Sequence, residues 1–243
     1  MANTLGLGDD LDSVELVQDI EKAFDVEIAN AEAERLLVVG QLYDLLVSKI
    51  PASDANKKCA SAMTFYRLRQ GMERLGFGRK LSPSADIRFL EKSGASRSFK
   101  RLERETGLTL PKLVMTWIGG FGCLLSVASI CVAIVAALFF HRTQSFLPFL
   151  MLLLLLAVGT GFAVTYLDPG KLTQDCRTLG GLSKRTAAQN FGKLAELGAR
   201  NGSEDIWNSL VDLLSNYSLP KSEITRETYF LQSQLKRSAQ GQV

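Results

Sequence analysis

The residues best suited to chemistry crowd into one short stretch. Asp9, Asp10, Asp12, Glu15, Asp19 and Glu21 supply carboxylates, and Ser13 places a hydroxyl among them. A serine becomes a nucleophile only when a base or an oriented partner helps to remove its proton. The one histidine, His141, lies far along the chain and has no evident partner for a triad or a metal site. No Gly-rich phosphate loop ending in Lys-Ser/Thr precedes a predicted helix, and nothing assembles an acid–base pair. The four cysteines, Cys59, Cys123, Cys131 and Cys176, form no Cys-x-x-Cys pair, which argues against a zinc site and a disulfide framework and for reduced thiols. The pattern predicts no enzyme and no metal centre.

The acidic stretch must be carried by a helix. Val14, Val17, Ile20 and Phe24 recur at three- and four-residue spacing, the mark of an amphipathic helix, and residues Gly8 to Lys49 read as helical. Asp9, Asp10 and Asp12 stand at its start, where negative charge is favourable. Ala33 to Ile50 holds a second apolar set: Leu36, Val38, Val39, Leu42, Leu45 and Leu46. Further amphipathic stretches lie at Ala60 to Leu75, with Met63, Tyr66, Leu68, Met72 and Leu75, and at Ile206 to Leu214.

Between these parts run two uncharged apolar segments, Leu113 to Phe140 and Phe146 to Tyr166, interrupted by His141-Arg142-Thr143-Gln144-Ser145. Each exceeds the roughly 20 residues that a helix needs to cross a hydrocarbon core. The expectation is a two-helix transmembrane hairpin over 113–167. Lys100, Arg101, Arg104 and Lys112 precede it, Lys171, Arg177, Lys184 and Arg185 follow it, and the tip carries only Arg142. By the positive-inside rule both termini are cytoplasmic. Gly119, Gly120, Gly122, Ser126, Gly159, Gly161 and Ala163 permit close helix approach, either within the hairpin or in self-association. The start, Met1-Ala2-Asn3-Thr4, reads as no signal peptide.

Gly8-Asp9-Asp10-Leu11-Asp12-Ser13-Val14-Glu15-Leu16-Val17 resembles the acyl carrier protein signature Gly-x-Asp-Ser-Leu-Asp-x-Val-Glu-Leu, with Leu7 in the place of the signature glycine. The likeness continues without a gap to Ile28, and more loosely through Glu32, Glu34 and Val38-Val39-Gly40-Gln41-Leu42. The resemblance implies a small helical bundle whose second to fourth helices lie in 1–52. It also implies a carrier serine bearing 4'-phosphopantetheine. That position is occupied here by Asp10, which lacks the hydroxyl needed to form the phosphodiester. Ser13 is the alternative attachment site, at the expense of a three-residue shift in register.

The family's first helix does not precede Gly8. The segment 203–232 supplies a candidate: an amphipathic helix, then Leu219-Pro220 and Ile224-Thr225-Arg226-Glu227-Thr228-Tyr229-Phe230, which resembles the carrier loop. It either completes the N-terminal module, within one chain or by a swap, or stands as a free amphipathic hairpin. A second degenerate module is expected over 56–112, with Leu102, Leu108 and Leu110 echoing Ile20, Val26 and Ile28. Past the hairpin, Arg177-Thr178-Leu179-Gly180-Gly181-Leu182 echoes Leu37-Val38-Val39-Gly40-Gln41-Leu42, so the hairpin interrupts that module. A cytoplasmic helix is expected over 172–200, and a disordered tail over 233–243.

Charge separates the modules. Residues 1–35 hold ten acids and two bases, whereas 57–112 hold fourteen bases and five acids. Such runs serve as solvated faces, as contacts to anionic lipid, or as docking surfaces. The net charge of +3 gives no case for nucleic acid. The sequence therefore predicts an all-α protein of carrier-like modules flanking a transmembrane hairpin, placed by the resemblance in a bacterial inner membrane. Its expected function is non-catalytic docking or scaffolding without a cofactor, through Asp9, Asp12, Glu15, Asp19 and Glu21. The lipid bilayer, enzymes that recognise acyl carrier proteins and further copies of itself are its expected partners. The alternative is a working membrane-tethered acyl carrier modified at Ser13.

Overall fold

The computed structural model describes residues 3–8, 10–51, 58–78, 81–92, 94–140, 147–217 and 219–231. Among the described residues the chain is mostly helical, in keeping with the all-α expectation, with one two-stranded parallel sheet added. It divides into two compact units. The first comprises Met1–Ala85, Leu102–Pro111 and Thr178–Val243; the second comprises Asp86–Arg101 and Lys112–Arg177.

In the first unit, β1 (Thr4–Leu7) pairs in parallel with β2 (Tyr229–Leu231). The Tyr229 amide donates to the Asn3 carbonyl at 2.9 Å. Strands this short lie below the reach of pattern reading, and the partner of each is at the other end of the sequence. Helix α1 (Asp10–Phe24) buries Leu16, Ile20, Ala23 and Phe24 and exposes Asp12, Glu15 and Lys22. It stops at Asp25, whose φ of 54° is left-handed, a conformation for which Asp and Asn are among the more tolerant non-glycine residues. The Val26 amide then donates to the Glu21 carbonyl (3.1 Å) and the Ile28 amide to Glu21 Oε1 (2.7 Å). Short α2 (Asn30–Ala33) and longer α3 (Val39–Lys49) follow. The helical stretch read over Gly8 to Lys49 is divided into three helices by left-handed Asp25 and extended Ala29 and Val38.

Helix α11 (Ser203–Leu214) and the loop after it share one core with these elements: Leu5, Ile20, Phe24, Leu42 and Leu46 pack in the same cluster as Ile206, Leu210, Leu214, Ile224 and Phe230. The loop is tied to the start of α3 by backbone bonds. The Val39 amide donates to the Thr228 carbonyl (2.9 Å), and the Gly40 amide to the Arg226 carbonyl (2.8 Å).

The remainder of the first unit is built on α4 (Ala60–Arg74), which packs on α9 (Leu179–Gln189). The Leu179 amide donates to the Ala85 carbonyl (3.0 Å), and the Gly180 amide to the Pro83 carbonyl (2.7 Å). The end of helix α6 (Ala95–Thr106) enters this unit. Gly107 follows it with φ 67°, its amide donating to the Glu103 carbonyl (2.8 Å), while Glu103 Oε1 accepts the Leu110 amide (2.9 Å). Buried Asn190 exchanges bonds with both backbone groups of Thr109, at 2.8 and 2.9 Å. Helix α10 (Phe191–Glu196) sets Phe191 against Phe24, ring centroids 5.1 Å apart.

Gly40 and Gly180 share one requirement. A Cβ on Gly40 would stand 2.8 Å from the Arg226 carbonyl oxygen, and one on Gly180 would stand 2.9 Å from that of Pro83. Neither obstacle is a flexible side-chain tip. Gly40→Ala and Gly180→Ala should each lower stability by about 1–3 kcal/mol, the usual range for overpacking. Urea denaturation of each variant reads this directly.

In the second unit, α5 (Phe89–Lys92) and the first part of α6 precede α7 (Trp117–Phe140) and α8 (Leu147–Tyr166). The two long helices pack on small residues. A Cβ on Gly122 would meet the Gly161 carbonyl oxygen at 2.9 Å, and one on Gly161 would meet that of Gly122 at 2.8 Å. Gly122, Gly161 and Ser126 are therefore used within the helix pair, whereas Gly120 and Gly159 have open space around them. The base of the pair is closed by the Val114–Lys171 bridge and by Asp168. Asp168 accepts the Thr116 amide (2.8 Å), the Thr116 hydroxyl (2.6 Å) and the Gly170 amide (3.2 Å).

Burial opposes ionisation of Asp168, yet the bonds from Thr116 and then Gly170 outweigh it and hold the carboxyl below its ordinary value. A carboxylate with a depressed folded-state pKa contributes stability that is present above its unfolded value of about 3.9 and lost as pH falls through the folded value. Asp168→Ala should cost about 1–3 kcal/mol at neutral pH. The gap from the parent chain should close in acid, as read by thermal melts across pH.

The membrane expectation is corrected. Among the described residues, no helix is long and apolar enough to cross a membrane. Two-pass placement in an inner membrane with cytoplasmic termini, and the transmembrane reading of 113–167, are set aside. The bilayer as partner had rested on the same spans. The tip with His141 and Arg142, and the tail 233–243, lie outside the described residues.

A candidate docking face on the first helix

Helix α1 presents its acidic residues unevenly. Asp12 and Glu15 are exposed, Asp19 is half-buried, and Glu21 is turned to the chain's own use by the bond from Ile28. Asp12 is also used locally, its Oδ2 accepting the Gly8 amide at 2.9 Å. Asp9 lies outside the described residues. Of the docking residues expected from sequence, the structure places Asp12, Glu15 and Asp19 along one face, spaced three and four residues apart.

Tyr217 reports the field of that face. Its hydroxyl donates to Asp19 Oδ2 at 3.4 Å. Burial first, then the carboxylates of Asp19, Glu15 and Asp12, push its phenol well above the ordinary range. Tyr217 therefore stays neutral across physiological pH.

Asp10 is the first residue of α1, and Ser13 lies within the helix, half-buried. Among the described residues, no cluster of His, Cys, Asp and Glu could hold a metal ion. The four cysteines are free thiols; Cys176 is buried and the others are exposed.

One concavity escaped the sequence. A cavity of about 660 Å³ is lined by Cys59, Lys184, Arg200, Asp205, Trp207 and Asp212, among others. Cys59 precedes the first turn of α4, with Sγ 3.1 Å from the Ser61 hydroxyl. That hydroxyl, chiefly, draws the thiol below its usual pKa against the effect of burial. The Ala62 and Ser61 backbone and the Arg200 charge add to it. Arg200 is held by Asp205 through two bonds of 2.8 and 2.9 Å, and Lys221 pairs with Asp212. No short motif could have revealed a wall drawn from four separate segments. No protein-family model matches this chain, and no solved structure is significantly similar to it.

Proposed function

We propose that this protein is a non-catalytic docking or scaffold protein built from two degenerate carrier-like modules, with α1 as its contact helix. The observation that carries the reading is the position of Asp10. The residue aligned with the carrier serine opens α1 and has no hydroxyl to phosphorylate, while Asp12, Glu15 and Asp19 keep the acidic face beyond it. The modules are taken as α11, its loop and α1 to α3 for the first. The second is α4, its loop, α6 and α9, interrupted by α7 and α8.

Paired features support the duplication. Glu21 and Glu103 each accept a bond from the amide seven residues on, and each helix is followed by a left-handed residue, Asp25 or Gly107. Helices α3 and α9 each start with two backbone bonds to the loop after the module's first helix, the second of them at a crowded glycine. Its partners on this reading are enzymes that recognise acyl carrier proteins, and no cofactor is carried.

The test is incubation of the full chain with coenzyme A and a broad-range phosphopantetheinyl transferase, read by intact mass. An unchanged mass is expected. A gain corresponding to phosphopantetheine, mapped to Ser13, would replace this reading with that of a working carrier. In a second arm, carrier-recognising enzymes should bind the parent chain in low salt and lose binding to the Asp12→Lys/Glu15→Lys variant.

A further inference from the structure

Aligning the two modules on their matched locks fixes a register between α1 and α6. Ile20 falls on Leu102, Glu21 on Glu103, Asp25 on Gly107, Val26 on Leu108 and Ile28 on Leu110, a constant separation of 82 positions. In that register the outward residues change sign. Glu15 corresponds to Arg97 and Asp19 to Arg101, while Gln18 corresponds to Lys100. Arg97, Lys100, Arg101 and Arg104 are all exposed and, at three- and four-residue spacing, lie along one face of α6. Four like charges in two turns repel one another, and a matching anionic surface would relieve this.

The spacing says which surface. Along α1 the carboxylates stand at 12, 15 and 19, with steps of three and then four. Along α6, read backwards, the guanidinium groups stand at 104, 101 and 97, again with steps of three and then four. Two antiparallel helices with these faces opposed bring Asp12 to Arg104, Glu15 to Arg101 and Asp19 to Arg97 without a mismatch, since both rise by about 1.5 Å per residue. We infer that the basic face of α6 is a docking surface for the acidic face of α1 of a second copy of this chain, with the helices antiparallel. The inference rests on the duplication described above. Arg–carboxylate pairs of this kind give specificity and association rate, and salt weakens them.

The experiment is analytical ultracentrifugation of the full chain in a mild non-ionic detergent, which covers the exposed apolar faces of α7 and α8. At about 0.05 M salt, with a screening length of roughly 14 Å, particles of two or more chains are expected; at about 0.5 M, roughly 4 Å, they should dissociate. Glu15→Arg alone and Arg101→Glu alone should each raise the dissociation constant by about tenfold or more, and mixing the two single variants or combining them in one chain should restore association. Both positions are exposed, and circular dichroism of each variant checks that the helices are kept. A monomer at low salt would overturn the proposal, including one formed because α1 docks on α6 of its own chain. Association indifferent to these charges, or a swap that restores nothing, would overturn it equally. Modification of Ser13 would sink the non-carrier reading without moving this measurement, so the two failures are distinguishable.

Discussion

A chain ended at Gly202 should not fold its N-terminal segment. The truncation removes Ile206, Leu210, Leu213, Leu214, Ile224 and Phe230 from the core that Leu5, Ile20, Phe24, Leu42 and Leu46 occupy. Six buried side chains at about 1.5–3 kcal/mol each come to about 9–18 kcal/mol, which matches or exceeds the roughly 5–15 kcal/mol by which a domain is stable. The loss is wider than apolar area. β1 is left without β2, and the Val39 and Gly40 amides lose the carbonyls of Thr228 and Arg226. Limited proteolysis should cut residues 10–50 rapidly in the truncated chain and slowly in the parent. Equal protection would show that α1 to α3 stand without the C-terminal segment, and a second chain supplying that segment in trans should rescue folding.

Phe24→Ala should be the most damaging single substitution considered, at about 3–5 kcal/mol. Phe24 is 2% exposed and lies at the end of α1, where its ring meets Phe191 at a tilt of 47°. Its carbonyl oxygen and the Asp25 Cβ crowd Gly192 so closely that a side chain there would overlap them. The neighbourhood has little freedom to collapse into the space left behind, which places the cost high in its range. Urea denaturation gives the magnitude. A double-mutant cycle with Phe191→Ala should show coupling of about 0.5–1.5 kcal/mol, and additivity would mean that the two rings act only through separate contacts.

Local periodicity made α1, α3, α4 and α11 legible, because each buries one apolar stripe and needs no distant information to be recognised. The left-handed stop at Asp25 was not legible, since an aspartate there is chosen by the turn and not by any pattern. β1 and β2 were invisible for a different reason: each is three or four residues long and is defined only by the other. Of the acids read as a docking face, Asp12, Glu15 and Asp19 share one face of α1, whereas Glu21 has the spacing of a surface residue while its carboxylate locks the next turn. The membrane spans were the largest error. Apolar content along 113–166 was read as two spans, whereas among the described residues no helix is long and apolar enough to cross a membrane.

The parallel pairing of β1 with β2 has a consequence for synthesis. A ribosome releases Leu5 and Leu7 roughly 220 residues before Phe230, so the first strand has no partner over that interval. At about 5–20 residues per second the apolar faces of α1 and α3 remain uncovered for roughly ten to fifty seconds. The N-terminal segment therefore cannot complete its core as it emerges. A premature stop before Ile206 should therefore yield a product that cellular proteolysis can tell from the longer chain.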